Sequence, residues 1–302
     1  LAATAPETRS EALRRARRSS DLPKFGYHVS AQGGPALAVR RAAELGLDCM
    51  QLFTTSPRTW GFGELSDEAV AEFRAARAEF GIAPAVVHTI YLINLASEDE
   101  EIRSRGIHAI SEDLLRADRL GCEYVVTHLG SARNLPDWQA RRKCALGLNR
   151  VLRRAEGTSP MLLLENSAGG GRVIGRDFAE LVRIALDCRY TDRIGFCVDS
   201  AHSLQAGHDV RTVAGIDALI APIADGMGLE RLRVVHLNDS RTAMGSNHDR
   251  HEHLGMGALG RDGVRAWLHH PALRRLPYIL ETPIEGEGDD ARNLRRARQL
   301  AR

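Results

Sequence analysis

From Lys24 onward the chain alternates short apolar runs, each bounded by turn residues, with longer stretches whose apolar positions recur at helical spacing. The runs predicted as strands are FGYHVS (25–30), CMQLFT (49–54), AVVHTI (85–90), EYVVTH (123–128), MLLLEN (161–166), IGFCVDS (194–200), RVVHLND (233–239) and YILETP (278–283). Between them lie helix-period segments such as PALAVRRAAELG, DEAVAEFRAARAEFG, IRSRGIHAISEDLLRADRLG and WQARRKCALGLNRVLRRAEG, several ending in glycine, the favoured helix stop. Eight consecutive βα units predict an α/β fold of the closed (β/α)8 TIM-barrel kind in one domain, residues 24–302. A doubly wound sheet would usually need fewer strands and often a Gly-rich phosphate loop after the first, but SAQGG there lacks the G-x-G-x-x-G spacing and the glycines at 169–171 follow the fifth strand.

Residues 1–23 are a basic extension outside this pattern, rich in arginine, expected to be a solvated tail or short exposed helix. The segment lacks the apolar middle of a secretory signal, and no apolar run is long enough to span a bilayer, so a cytoplasmic protein with no membrane partner is expected. Five cysteines without a C-x-x-C pair argue against a disulfide framework or a Cys-rich zinc knuckle; small buried thiols are expected. A net charge of +2 leaves any attraction for a polyanion to a local patch or to bound metal.

The candidate chemistry lies where the apolar runs stop. His88, His128, Glu165, Asp199 and His236 end the third to seventh runs, and Glu281 lies in the eighth. His202 follows Asp199 by three residues, and Asp249 and His251 sit in the His-rich segment HLNDSRTAMGSNHDRHEHLGMG (236–257). A single histidine at a strand end is more often a hydrogen-bonded core residue than a ligand. In a parallel barrel, however, all strand C-termini open on one face, so five histidines and four carboxylates would converge on one mouth and be hard to satisfy without cations. Imidazole with carboxylate suits zinc, with manganese or iron as substitutes, whereas calcium and magnesium prefer an all-oxygen shell. At roughly four ligands per ion, some shared, nine residues could hold two or three metals, and three would leave a site of about +2, suited to a phosphodiester.

These residues resemble the endonuclease IV family of apurinic/apyrimidinic endonucleases. The resemblance runs from about Phe25 to Glu281 and is carried by HVSAQGG at 28, LFTTSPRTW at 52, HTIYLINL at 88, THLGS at 127, LLLENSAGGG at 162, CVDSAHSLQAGHD at 197, HLNDS at 236, GSNHDRHEHLGMGALG at 245 and LET at 280. It implies three zinc ions per chain. His88 and His128 would bind one; Glu165, the catalytic carboxylate, would bridge to a second shared with Asp199, His236 and Glu281; His202, Asp249 and His251 would hold the third. His28, His208, His248 and His253 match no ligand position and are expected beside the ligands or on the surface.

The resemblance also implies cleavage of double-stranded DNA on the 5′ side of an abasic site to leave a 3′-hydroxyl, and removal of 3′-blocking groups, by a monomer. Arg58, Tyr91 and Leu92 occupy the positions at which the family inserts side chains into DNA at the lesion, while Ile93 and Leu95 read as core. The basic extension and the TTSP stretch before Arg58 depart from the family pattern. A metal-dependent sugar isomerase would share the barrel but would not require His202 with Asp249-x-His251. A non-catalytic DNA-binding relative would be marked by lost ligands, and none is lost.

Overall fold

Eight parallel strands follow one another around a sheet in the computed structural model, which describes residues 23–302. They are β1 (Lys24–Tyr27), β2 (Met50–Leu52), β3 (Ala85–His88), β4 (Tyr124–Thr127), β5 (Met161–Glu165), β6 (Ile194–Asp199), β7 (Leu232–His236) and, last in the barrel, β10 (Pro277–Leu280). β10 pairs with both β7 and β1, and the remaining seam, between β1 and β2, is bridged where His28 meets Gln51 and the Val29 amide donates to the Gln51 carbonyl at 2.8 Å. Gly26 permits this approach, because a Cβ there would lie 2.6 Å from the Cys49 carbonyl oxygen and 2.7 Å from the Ile279 side chain.

The eight-strand expectation therefore holds, with C-terminal ends trimmed by one to three residues and the first, seventh and eighth strands starting one residue earlier. The helices between the strands also follow the pattern: α1 (Pro35–Glu44), α2 (Asp67–Phe80), α3 (Glu100–Leu120), α4 (Asp137–Arg154) and α5 (Phe178–Leu186). Their ends are chemically marked. Ser66 caps α2 and Asp99 caps α3 through side-chain oxygens that accept free amide hydrogens, and Gly81 and Gly121 stop the same helices in the left-handed conformation. The basic extension expected over residues 1–23 lies outside the described residues except for Pro23 at its end.

Two apolar layers result. The larger lies between sheet and helices, and the smaller fills the barrel interior with Cys49, Val86, Val126, Leu163, Cys197, Val234 and Ile279, seven residues from seven strands or their first edges. All five cysteines are buried and unpaired with one another. Among the described residues no helix is long and apolar enough to cross a membrane.

One feature of the chain after β7 is absent from the strand pattern. Asp239–Ser240 (β8) and His251–Glu252 (β9) pair antiparallel, with Ser240 opposite His251, and fold the His-rich segment back over the barrel mouth. The fully buried Asp239 carboxylate anchors this turn by accepting from the amides of Ser240, Gly257, Leu259 and Gly260 at 2.8–3.2 Å. Helices α6 (Ser200–Gln205), α7 (Val213–Gly226), α8 (Gly260–His269) and α9 (Asp289–Leu300) complete the wall.

Candidate metal centre

Strand side chains alternate across the sheet, so the residue two positions beyond each member of the inner apolar layer also faces the barrel axis. That step leads from Val86 to His88, Val126 to His128, Leu163 to Glu165, Cys197 to Asp199, Val234 to His236 and Ile279 to Glu281. From Cys49 it leads to Gln51, and from Gly26 to His28. The candidate ligands are thus the next layer of the barrel, resting on an apolar floor and opening into a cavity of about 490 Å³ lined by His28, Phe53, His88, Tyr91, His128, His202, Asp249, His251 and Glu281, among others.

His202 and the 249–251 pair reach the same cavity by other routes. The Asp199 carboxylate accepts from the His202 amide at 2.7 Å, starting α6 directly at the strand end and turning His202 inward. The β8–β9 hairpin brings His251 alongside, held by the Gln205 amide, which donates to Ser240 Oγ at 2.9 Å and to the Arg250 carbonyl at 3.0 Å.

All nine expected ligands converge. Ligand atoms of His88, His128 and Glu165 lie within 4.8 Å of one another, as do those of Glu165, Asp199, His236 and Glu281. The third grouping is Asp199, His202 and His251. Asp249, expected in that place, stands at its edge with Oδ1 3.4 Å from Nε2 of both His202 and His251.

Hydrogen bonds on the far side of four of the five imidazoles reveal what faces the cavity. Nδ1–H of His88 donates to the Thr89 carbonyl at 2.7 Å, that of His202 to Asn166 at 3.1 Å, and that of His251 to Glu281 at 3.0 Å. In its neutral form each ring therefore presents an Nε2 lone pair, and these nitrogens lie 3.3 Å from Glu165 Oε2 for His88 and 3.4 Å from Asp249 Oδ1 for the other two. His236 is turned the other way: Nε2–H donates to Gln51 Oε1 at 2.9 Å, leaving Nδ1 2.9 Å from Glu165 Oε1. Lone pairs pointed at carboxylates repel unless a positive charge stands between them, which is the arrangement of metal-binding histidines backed by outer hydrogen bonds. His251 Nε2 and His128 Nδ1 are in addition buried without a hydrogen-bond partner among the described residues.

The residues present therefore fit a multinuclear site for borderline divalent cations, with imidazole and carboxylate donors and no required thiolate. Where protons rather than ions supply that positive charge, burial opposes the charge on Glu165, but positively charged His236 and His128 overcome it and hold the carboxyl well below its ordinary range. Asp249 is likewise held near 2, where His202 and His251 outweigh burial. Burial pushes the Cys197 thiol up to about 12, consistent with its place in the apolar floor, although its sulfur lies within ligand distance of Glu165 and His236.

Several contributors escaped sequence reasoning. Asn238 donates to Asp199 Oδ2 at 2.6 Å and accepts from the Glu281 amide at 2.8 Å, and Asn166 Oδ1 accepts from the Asp199 amide at 2.8 Å. Both asparagines sit one or two residues beyond a ligand, in LLLEN and HLND, and a polar residue next to a strand-end ligand was the available signal. Gln51, a fully buried polar side chain inside CMQLFT, was the clearest missed one. His28 lies beside a candidate ligand, with Nδ1 3.5 Å from Glu281 Oε1; His253 bonds Asn293 at 2.9 Å away from the cluster.

On the rim stand the three residues expected to meet DNA. Tyr91 is 67% exposed, Leu92 36%, and Arg58 is exposed on the neighbouring loop. The Tyr91 ring packs edge-on against Phe53 with centroids 5.4 Å apart, and Phe53 in turn packs on His88 and His28. Ile93 and Leu95 are buried in the core.

A family profile described as a xylose isomerase-like TIM barrel matches residues 39–302. A protein of Methanoculleus marisnigri named "Probable endonuclease 4" is 42% identical over 276 residues, 91% of this chain and 98% of its own length. The crystal structure of endonuclease IV from Thermus thermophilus superposes with a TM-score of 0.80 at 39% identity, covering 92% of this chain and 98% of that one. D-psicose 3-epimerase from Clostridium cellulolyticum shares the fold alone, with a TM-score of 0.67 at 14% identity over 92% of this chain and 98% of its own. With an unbroken match over most of its length, the chain belongs to the endonuclease IV family.

Proposed function

We propose that this chain is a DNA-repair hydrolase that cleaves the phosphodiester on the 5′ side of abasic sites in duplex DNA, leaving a 3′-hydroxyl, and that it removes blocking groups from damaged 3′ ends. The observation that carries the reading is the convergence of imidazole lone pairs on Glu165, Asp199, Asp249 and Glu281 in a chain of this family. We further assign three divalent ions to the nine residues, zinc first, with manganese or iron able to stand in part of the site.

Divalent ions bound there supply Lewis-acid activation of water near neutral pH and neutralise charge on a phosphodiester. The protein's own contribution is geometric. Glu165 offers one oxygen toward His88 and His128 and the other toward His236 and His202, so it can span two halves of the cluster. His88, His202 and His251 are held by backbone carbonyls, which cannot rotate away, so the donor set is in place before substrate arrives.

Recognition falls to the rim. An abasic site has no base to read and is distinguished by the ease with which the duplex deforms there. Tyr91 and Leu92 are exposed apolar side chains beside the cavity, and Arg58 adds a cation on the adjacent loop, a combination suited to entering a base stack while pairing with phosphate.

Incubation of the purified protein with a duplex carrying a single abasic analogue, with and without chelator, tests the reading. Expected is one chelator-sensitive cut 5′ to the lesion with a 3′-hydroxyl end. Products cut on the 3′ side, or cleavage unaffected by exhaustive chelation, would overturn it.

A further inference from the structure

The inward-facing layer that carries the ligands has eight members, one per strand, and six are accounted for. The other two, His28 and Gln51, come from the adjacent first and second strands and touch each other. Gln51 is fully buried between Met50 and Leu52, and burying an amide with nothing to bind would cost several kcal/mol. Both of its donor hydrogens and its oxygen are directed at the site. Its Oε1 accepts from His236 Nε2 at 2.9 Å, while its Nε2 donates to Glu281 Oε1 at 2.6 Å and to His28 Nδ1 at 3.0 Å.

The orientation of the amide follows from charge. Rotated by half a turn, its oxygen would face the Glu281 carboxylate across 2.6 Å, two acceptors with no hydrogen between them. With the NH2 on Glu281, the oxygen must face His236, and His236 must carry its hydrogen on Nε2. In the neutral ring the consequence is that Nδ1 of His236, 2.9 Å from Glu165 Oε1 and 3.5 Å from Glu281 Oε2, carries no hydrogen and is free to take an ion together with that Glu281 oxygen. The other three oriented imidazoles obtain this restraint from backbone carbonyls. His236 alone among them obtains it from a side chain, and that side chain also holds a second candidate ligand.

We propose that Gln51 is a positioning residue for the metal centre: its amide selects the His236 tautomer and locks Glu281, so that both present their free atoms to the ion shared with Glu165 and Asp199. The same contact makes Nδ1 of His28 an acceptor and leaves its Nε2–H as a buried donor without a protein partner among the described residues, on a ring that lines the cavity. The inference rests on the reading of His236 and Glu281 as ligands.

Two variants separate the roles. Gln51→Met keeps volume and removes all three hydrogen bonds; Gln51→Glu keeps an acceptor for His236 but sets an oxygen against Glu281. Histidine-selective 15N NMR of the ion-loaded protein reads the His236 tautomer, and zinc competition with a graded chelator reads each dissociation constant. Expected for Gln51→Met are loss of the protected Nε2–H signal and a roughly 10–100-fold weaker hold on one ion, with the remaining ions unchanged. Gln51→Glu should keep the signal and still weaken that ion. A Gln51→Met protein with parental tautomer and parental dissociation constants, or one that loses all ions alike, overturns the role of Gln51 alone. A parent that holds no ions overturns the metal reading itself.

Discussion

The amide of Tyr91 donates to the carbonyl of Pro57 at 3.1 Å, which fixes the loop bearing Arg58 to the loop bearing Tyr91 and Leu92. The residues proposed to enter DNA are therefore held as one rim element, joined through Phe53 to His88 below. Shape recognition at a lesion benefits from such rigidity, because less ordering remains to be done on binding.

Replacing Tyr91 with alanine removes the wedge and leaves the backbone link intact. Affinity for abasic duplex should fall by about 1–3 kcal/mol, roughly 5- to 150-fold, while bound metal stays at the parent level. Single-turnover cleavage at saturating enzyme should fall less than binding, and a gapped duplex should recover part of the loss. Binding titrations of intact, abasic and gapped DNA, with metal measured on the same samples, give the answer; equal affinities throughout would remove Tyr91 from the recognition surface.

Elemental analysis of protein purified without added metal should find about three tightly held divalent ions per chain, principally zinc. Stepwise chelation should abolish cleavage before it unfolds the barrel, since the apolar floor beneath the ligands is complete by itself. Fully active protein with a reproducible value near one ion per chain would end the three-ion assignment.

Glu165→Gln preserves volume but removes the anion that faces four imidazoles. Turnover should drop roughly a hundredfold or more with the fold retained. His251→Ala should instead weaken the site shared with His202 and leave the ions near His88 in place. Parental turnover in either variant at saturating substrate would withdraw the role given to that residue.

Asp113 offers a test by pH away from the ligands. Its carboxyl is buried on α3, accepts from Thr54 Oγ1 at 2.5 Å, and leaves Oδ2 with no partner among the described residues. Burial pushes its pKa up to about 7, against the opposing influence of Thr54 and Arg116. An unfolded Asp releases its proton near pH 4. The folded state thus binds the extra proton between about pH 4 and 7, and this group's contribution to stability falls as pH rises through that window, by up to about 4 kcal/mol. Asp113→Asn should remove that slope. Urea unfolding at pH 5 and pH 8 measures it, and an identical pH dependence in parent and variant would contradict the burial of a neutral carboxyl.

The order of apolar runs and helix-period segments by itself pointed to the barrel, because each strand must bury both faces and each helix one, and eight such units without a phosphate loop after the first suit closure better than an open doubly wound sheet. The same order determined that His88, His128, Glu165, Asp199, His236 and Glu281 share a mouth, since a period of two above an apolar layer leaves them nowhere else to point. Tertiary structure alone decided the rest. The β8–β9 hairpin, which carries His251 and Asp249 to the cavity, depends on Asp239 gathering amides from residues up to twenty-one positions away, and no local pattern encodes that. Which nitrogen His202, His236 and His251 present was equally invisible, because it is set by acceptors on other strands and loops. Gln51 belongs to the same class: along the chain it is one polar residue in an apolar strand, and only the closing of β1 against β2 and the convergence of His236 and Glu281 give its amide something to hold.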